Sequence, residues 1–126
     1  MNDNDPALPT ASDITALLQL GQAALAVDPA QIRWLGDGLP WPDYPPPLRD
    51  FFAAASAAPW SDRHYVPATC ADQVRSADGI EQADLARLRS LLTWMVRGER
   101  FCDGHWAAML SHGYLRRWLQ RLAQLA

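Results

Sequence analysis

Two stretches in the C-terminal half carry apolar residues at helical spacing, and they constrain the chain more than any other feature. Leu85, Leu88, Leu91, Leu92 and Met95 form one stripe; Leu115, Trp118, Leu119, Leu122 and Leu125 form the other. Recurrence at three and four positions puts such side chains on one face of an α-helix. No segment sustains the alternation of a half-buried strand. Residues 32–35 and 65–68 are the only strand candidates, and both are short. The chain is therefore expected to be mainly α, an irregular bundle of four or five helices with an aromatic, Pro-rich connecting segment packed across one side.

Local signals set the expected boundaries. Ser12 suits an N-cap, with Asp13 in the first turn and Ile14, Leu17, Leu18, Ala24 and Leu25 as the apolar face; Asp28-Pro29 ends that helix. Gly36-Asp37-Gly38 reads as a turn, and residues 41–47 as extended, polyproline-like chain whose Trp41 and Tyr44 pack on the domain. Pro46 or Pro47 opens a second helix with Leu48, Phe51, Phe52 and Ala55 inward, closed by Pro59. A short helix fits residues 70–76. The strongest helix spans residues 80–97, with Gly98 expected as its C-terminal glycine. Asp103 is placed to cap a helix over 104–112, Gly113 breaks it, and a last helix covers 114–125.

With 126 residues the chain suits one domain. Residues 1–10 are expected as a disordered tail and 11–126 as a single helical domain. A domain of this length buries about two-thirds of its unfolded surface, so neither disulfides nor a structural metal are needed to hold it. The two cysteines, Cys70 and Cys102, fit free thiols in a reducing compartment. Asp3, Asp5 and Pro6 stand where a secretory signal would carry positive charge, and a cytoplasmic location is expected. No cofactor and no membrane association are expected.

The net charge of −3 argues against a nonspecific polyanion binder, and the exclusive use of Arg over Lys goes with a GC-rich genome. The charge is uneven, however. Residues 1–80 carry four Arg against ten Asp (4 − 10 = −6), whereas residues 81–126 carry seven Arg against four carboxylates (7 − 4 = +3). Residues 104–125 have the lengths of a helix-turn-helix, with Arg116, Arg117 and Arg121 on the second helix. An ordinary helical hairpin with a solvated basic face is the commoner arrangement, and nucleic acid is not the expected partner.

One polar block stands out. Arg97, Glu99, Arg100, Asp103 and His105 are interleaved with Gly98, Phe101, Gly104 and Trp106. It admits two readings. In the first it is a junction, with Glu99 and the arginines tying two helix ends together and Phe101 plugged into the core. In the second it is a small anionic-ligand or enzymatic site, with Arg97 and Arg100 facing the ligand and Glu99 or His105 as acid or base. Cys102, His105 and His112 would share a helix face, but their spacing matches no standard zinc pattern, and no metal is expected. Nucleophile elbows and phosphate loops are absent.

The stretch from Leu91 to Leu122 resembles a family of small bacterial proteins catalogued as a domain of unknown function. The resemblance rests on Arg97 to Phe101, Gly104, Gly113 and Leu119 to Leu122, with looser similarity through Tyr44, Trp60, Tyr65 and Pro67. It implies a shared fold and no activity. The function expected from the residues is a non-enzymatic binding or interaction domain, with homo-oligomerisation as one form of that interaction. Trp41, Tyr44, Trp60, Tyr65 and Trp118 are its candidate interface anchors, and Trp34, Trp41, Trp60 and Trp118 are expected to be partly exposed.

Overall fold

The computed structural model describes residues 7–126. It contains six α-helices among those residues: α1 (Ala11–Leu25), α2 (Pro46–Ala55), α3 (Pro67–Arg75), α4 (Leu85–Arg97), α5 (His105–Ser111) and α6 (Tyr114–Leu125). A two-stranded antiparallel hairpin, β1 (Arg33–Leu35) and β2 (Trp41–Asp43), joins α1 to α2, with Trp34 opposite Pro42. Single 3-10 turns occupy Pro29–Gln31 and Gly98–Arg100. The mainly α expectation is met. Six helices exceed the four or five expected because the short helix over 70–76 forms as a full helix that starts earlier, opened by Pro67, and the strand candidate over 65–68 does not form.

Helix starts follow their caps. α1 begins two residues earlier than an N-cap at Ser12 implies. Thr10 and Asp13 make a reciprocal capping box, with Thr10 Oγ1 accepting from the Asp13 N–H and Asp13 accepting from the Thr10 N–H at 2.8 Å. Of the tail expected over residues 1–10, the first six lie outside the described residues; Pro9 is buried and Thr10 belongs to the cap. α4 begins at Leu85 rather than near Ile80, because the Asp84 carboxylate accepts from the Arg87 N–H at 2.8 Å and fixes the first turn there.

α4 is the central element, in contact with α2, α3, α5 and α6, while α1 lies across α2 and α6. Leu88, Leu91, Leu92 and Met95 are fully buried along its apolar stripe. Trp118 of α6 is fully buried against it and donates its indole N–H to the Leu88 carbonyl at 2.8 Å, with the Trp60 ring edge-on at 5.9 Å. The connection after α2 is held on the polar edge of the same helix. Thr93 Oγ1 accepts from the Asp62 N–H, Ser90 donates to the Asp62 carboxylate, and Arg89 donates to the Ser61 carbonyl at 2.8 Å. Three polar residues are thus buried in α4 without disrupting the core, since each has partners in that connection.

These contacts correct several expectations. Trp60 and Trp118 are core residues rather than partly exposed anchors, and Tyr44 is buried as well. Phe101 does not plug the junction; it is 84% exposed. Trp34, Leu39 and Trp41 of the hairpin are exposed, in keeping with the expectation for the two tryptophans.

Candidate functional site

The site grows from the way the chain passes from α4 to α5. Gly98 is not a left-handed helix terminator: its φ of −58° keeps it right-handed, and the chain runs on into the 3-10 turn. A glycine is needed there for space, since a Cβ would lie 2.3 Å from the His105 ring. Gly104 does adopt the left-handed conformation, at φ 91°, and the Trp34 indole covers it closely enough that a Cβ would meet it at 2.7 Å.

α5 has no side-chain cap from its own preceding residue. Asp103, expected in that role, is exposed and makes no such bond. The cap comes from Glu99, whose carboxylate accepts from the Gly104 N–H at 2.8 Å and from the Trp106 N–H at 2.8 Å. The Tyr44 hydroxyl donates to the same carboxylate at 2.7 Å and accepts from the Ala107 N–H at 3.3 Å. A carboxylate and a phenol from a distant strand end thereby satisfy the first-turn donors of α5, where negative charge is favoured. Burial and the bond to Glu99 push the Tyr44 phenol well above its ordinary range, so it stays a proton donor.

This arrangement leaves little for acid–base chemistry. Both Glu99 oxygens are occupied by donors that hold the fold together. The His105 ring lies edge-on to Trp94 at 4.9 Å and against Gly98, and its Nε2 is buried without a partner. Burial holds its pKa below the usual imidazole value, with Glu99 partly opposing the shift. Each Glu99 oxygen already accepts at least one hydrogen bond, and the His105 Nε2 is shut away from solvent.

An open space does adjoin them. A cleft of about 610 Å³ lies between the end of β2, α2 and the α4–α5 junction. Trp106 presents its aromatic surface, half-buried and backed by the buried Phe52, which stacks on it at 4.5 Å with planes 6° apart, while Tyr44 leans on Trp106 at 5.1 Å. Trp106 is held in place by its indole N–H, which donates to the Val96 carbonyl at 3.0 Å. Arg49 and Arg100 stand in the cleft wall, and among the described residues neither makes a hydrogen bond or ion pair. Asp43 and Glu99 are the carboxylates in the lining.

Of the block expected as a site, Glu99 and Arg100 line the cleft, and Arg97 lines a smaller recess beside it. Asp103 is turned to solvent and His105 lies behind the wall. The arginines do not tie the helix ends together through Glu99; Arg97 lies over the Tyr65 ring at 5.1 Å instead. Arg49, Phe52 and Trp106 were missed as site residues. The signal for the α2 pair was present in part, because Arg49, Phe52, Ala53 and Ser56 recur at helical spacing and so share a face. Cys102, His105 and His112 are not gathered into a ligand set; among the described residues no group of three or more His, Cys, Asp or Glu could hold a metal ion. On α6, Arg117 pairs with Glu81 at 2.7 Å and Arg121 donates to the Ala83 carbonyl, so among the described residues Arg116 is the cation of the expected basic face without a partner.

No curated protein and no solved structure matches the chain. The model of a family of unknown function, DUF6508, matches residues 38–126, a span that includes the whole lining of the cleft, and the chain belongs to that family.

Proposed function

We propose that this member of the DUF6508 family is a non-enzymatic binding domain whose recognition element is the cleft beside Trp106. The observation that carries the reading is the contrast between Glu99 and its surroundings. The group best suited to catalysis already accepts from Tyr44 and two backbone N–H groups, while the adjoining space is bordered by Trp106 and by guanidiniums that have no partner among the described residues. Its size lies within the roughly 300–1,000 Å³ of ordinary small-molecule sites, which are mostly apolar with a few polar groups for orientation. No helix among the described residues is long and apolar enough to cross a membrane. Two free thiols support a reducing bacterial cytoplasm as the setting.

The test is a thermal-shift screen of aromatic fragments on wild-type protein and on Ala53→Trp, which fills the cleft from an exposed position of α2. Fragments that stabilise the wild type and lose that effect in Ala53→Trp are the expected result. Stabilisation that is the same in both proteins, or no hits at all, would sink the reading.

A second reading, protein contact or self-association through the hairpin, is favoured by its exposed apolar side chains, Trp34, Leu39 and Trp41. Light scattering across a concentration series checks it. Association that Trp41→Ser abolishes is expected on this reading, and a monomer at every concentration speaks against it.

A further inference from the structure

The cleft continues past Trp106. A recess of about 80 Å³ lies next to it, lined in part by Ser56, Ser61, Thr93, Arg97 and Arg100, with no carboxylate in its walls. Ser56, Val96 and Arg100 line both spaces, so Arg100 stands at the boundary between them. Arg97 closes α4 and Arg100 closes the 3-10 turn that follows, a spacing of three that directs both guanidiniums to the same side.

The charges in this corner lack counter-charges. Among the described residues Arg97 has the Tyr65 ring face and, at 3.5 Å, Ser61 Oγ as its cation–π and hydrogen-bond partners, and Arg100 has no hydrogen-bond or ion-pair partner. Planar guanidiniums of this kind favour bidentate contact with a phosphate or carboxylate. The carboxylates of the larger space, Asp43 and Glu99, line only the cleft and are absent from the recess walls. An anionic head group would be repelled by them and attracted toward Arg97 and Arg100. The sizes agree with that division, because the recess has room for about two or three waters, comparable with a phosphate group, while an aromatic ring needs the cleft.

We propose that the site takes a small aromatic phosphate monoester, its ring against Trp106 in the cleft and its phosphate in the recess between Arg97 and Arg100. The inference rests on the cleft being a binding site, and it adds the class of ligand.

The test follows the Trp106 indole N–H by NMR during titration with phenyl phosphate, phenol and inorganic phosphate in turn. Phenyl phosphate is expected to bind roughly tenfold or more tightly than either half alone, as one charge-assisted bidentate contact added to a stacked ring provides. Arg97→Gln and Arg100→Gln should each weaken phenyl phosphate by roughly tenfold and leave phenol unchanged. Arg100→Gln is the deciding variant, since Arg100 is exposed and holds no other element in place. Phenol binding as well as phenyl phosphate, with no effect of either substitution, would overturn the ligand class and leave the cleft reading standing. Inorganic phosphate binding as tightly as phenyl phosphate would overturn it too, because Trp106 would then contribute nothing. If none of the three shifts Trp106, the ligand class and the cleft reading fall together.

Discussion

The Glu99 carboxylate gathers one O–H and two backbone N–H groups, and each donor would lose its partner in a half-buried place if the acceptor went. Glu99→Gln keeps the shape and replaces one acceptor with a donor, so at least one of these bonds becomes a clash of two donors. A loss of about 1–3 kcal/mol in chemical denaturation is expected. Gly98→Ala should cost a similar amount, about 1–3 kcal/mol, because the new Cβ meets the His105 ring and that ring is backed by Trp94. His105 also gives the fold a pH dependence. Its pKa is depressed in the folded state, so between the folded value and the ordinary 6.5 the unfolded chain binds more protons. The contribution is therefore full above 6.5, begins to be lost as pH falls below it, and is gone below the folded pKa. Asp62 and Glu81, whose pKa values are lowered, act in the acid range below their ordinary 3.8 and 4.5 and leave this window to the histidine. The melting temperature should fall between about pH 7.5 and pH 5.5, and His105→Gln should flatten that slope. An equal slope in the variant would contradict the assignment. That the polar block is a junction was legible from its two glycines and its place between helix patterns. The identity of the cap was not, because Tyr44 lies 55 residues from Glu99 and no local spacing connects them.

At the scale of the elements, the apolar stripes located α4 and α6 well, since burial of one face dictates their period. Boundaries went astray where a neighbouring residue makes the better cap, as Thr10 does with Asp13 and Asp84 does with Arg87. The tryptophans were misjudged for a related reason. Composition counts six of them but does not say that Trp118 can bury its ring and still satisfy its N–H on the Leu88 carbonyl. The two kinds separate by mutation. Trp118→Ala should cost about 3–5 kcal/mol of stability, whereas Trp41→Ser, on the exposed hairpin, should stay within about 0.5 kcal/mol. Urea unfolding of both variants checks this, and comparable losses would mean that the hairpin is part of the core. On α6, the ion pair of Arg117 with Glu81 is exposed and serves mainly to set the helix against the segment before α4. Two of the three arginines that suggested a recognition helix face their own chain.

Across the whole molecule, the site is a product of assembly. Its parts come from the end of the hairpin, one face of α2 and the turn after α4, and α4 is the element that holds α2 and α5 in place around the opening. Glu99 and Arg100 of the cleft wall, and Arg97 of the recess beside it, stand out in the sequence because charge clustered between glycines is visible along the chain. The sequence does not show the stack of Phe52 on Trp106, which joins two helices 54 positions apart by number and exists only after packing (106 − 52 = 54). On the proposed reading this assembled cleft binds an aromatic ligand while Glu99 remains a cap. A crystal structure of the protein soaked with the most stabilising aromatic fragment tests this directly. Density against Trp106 is expected, with the Glu99 bonds to Tyr44, Gly104 and Trp106 intact. Density elsewhere, or a Glu99 side chain turned away from the helix to engage the ligand, would contradict it.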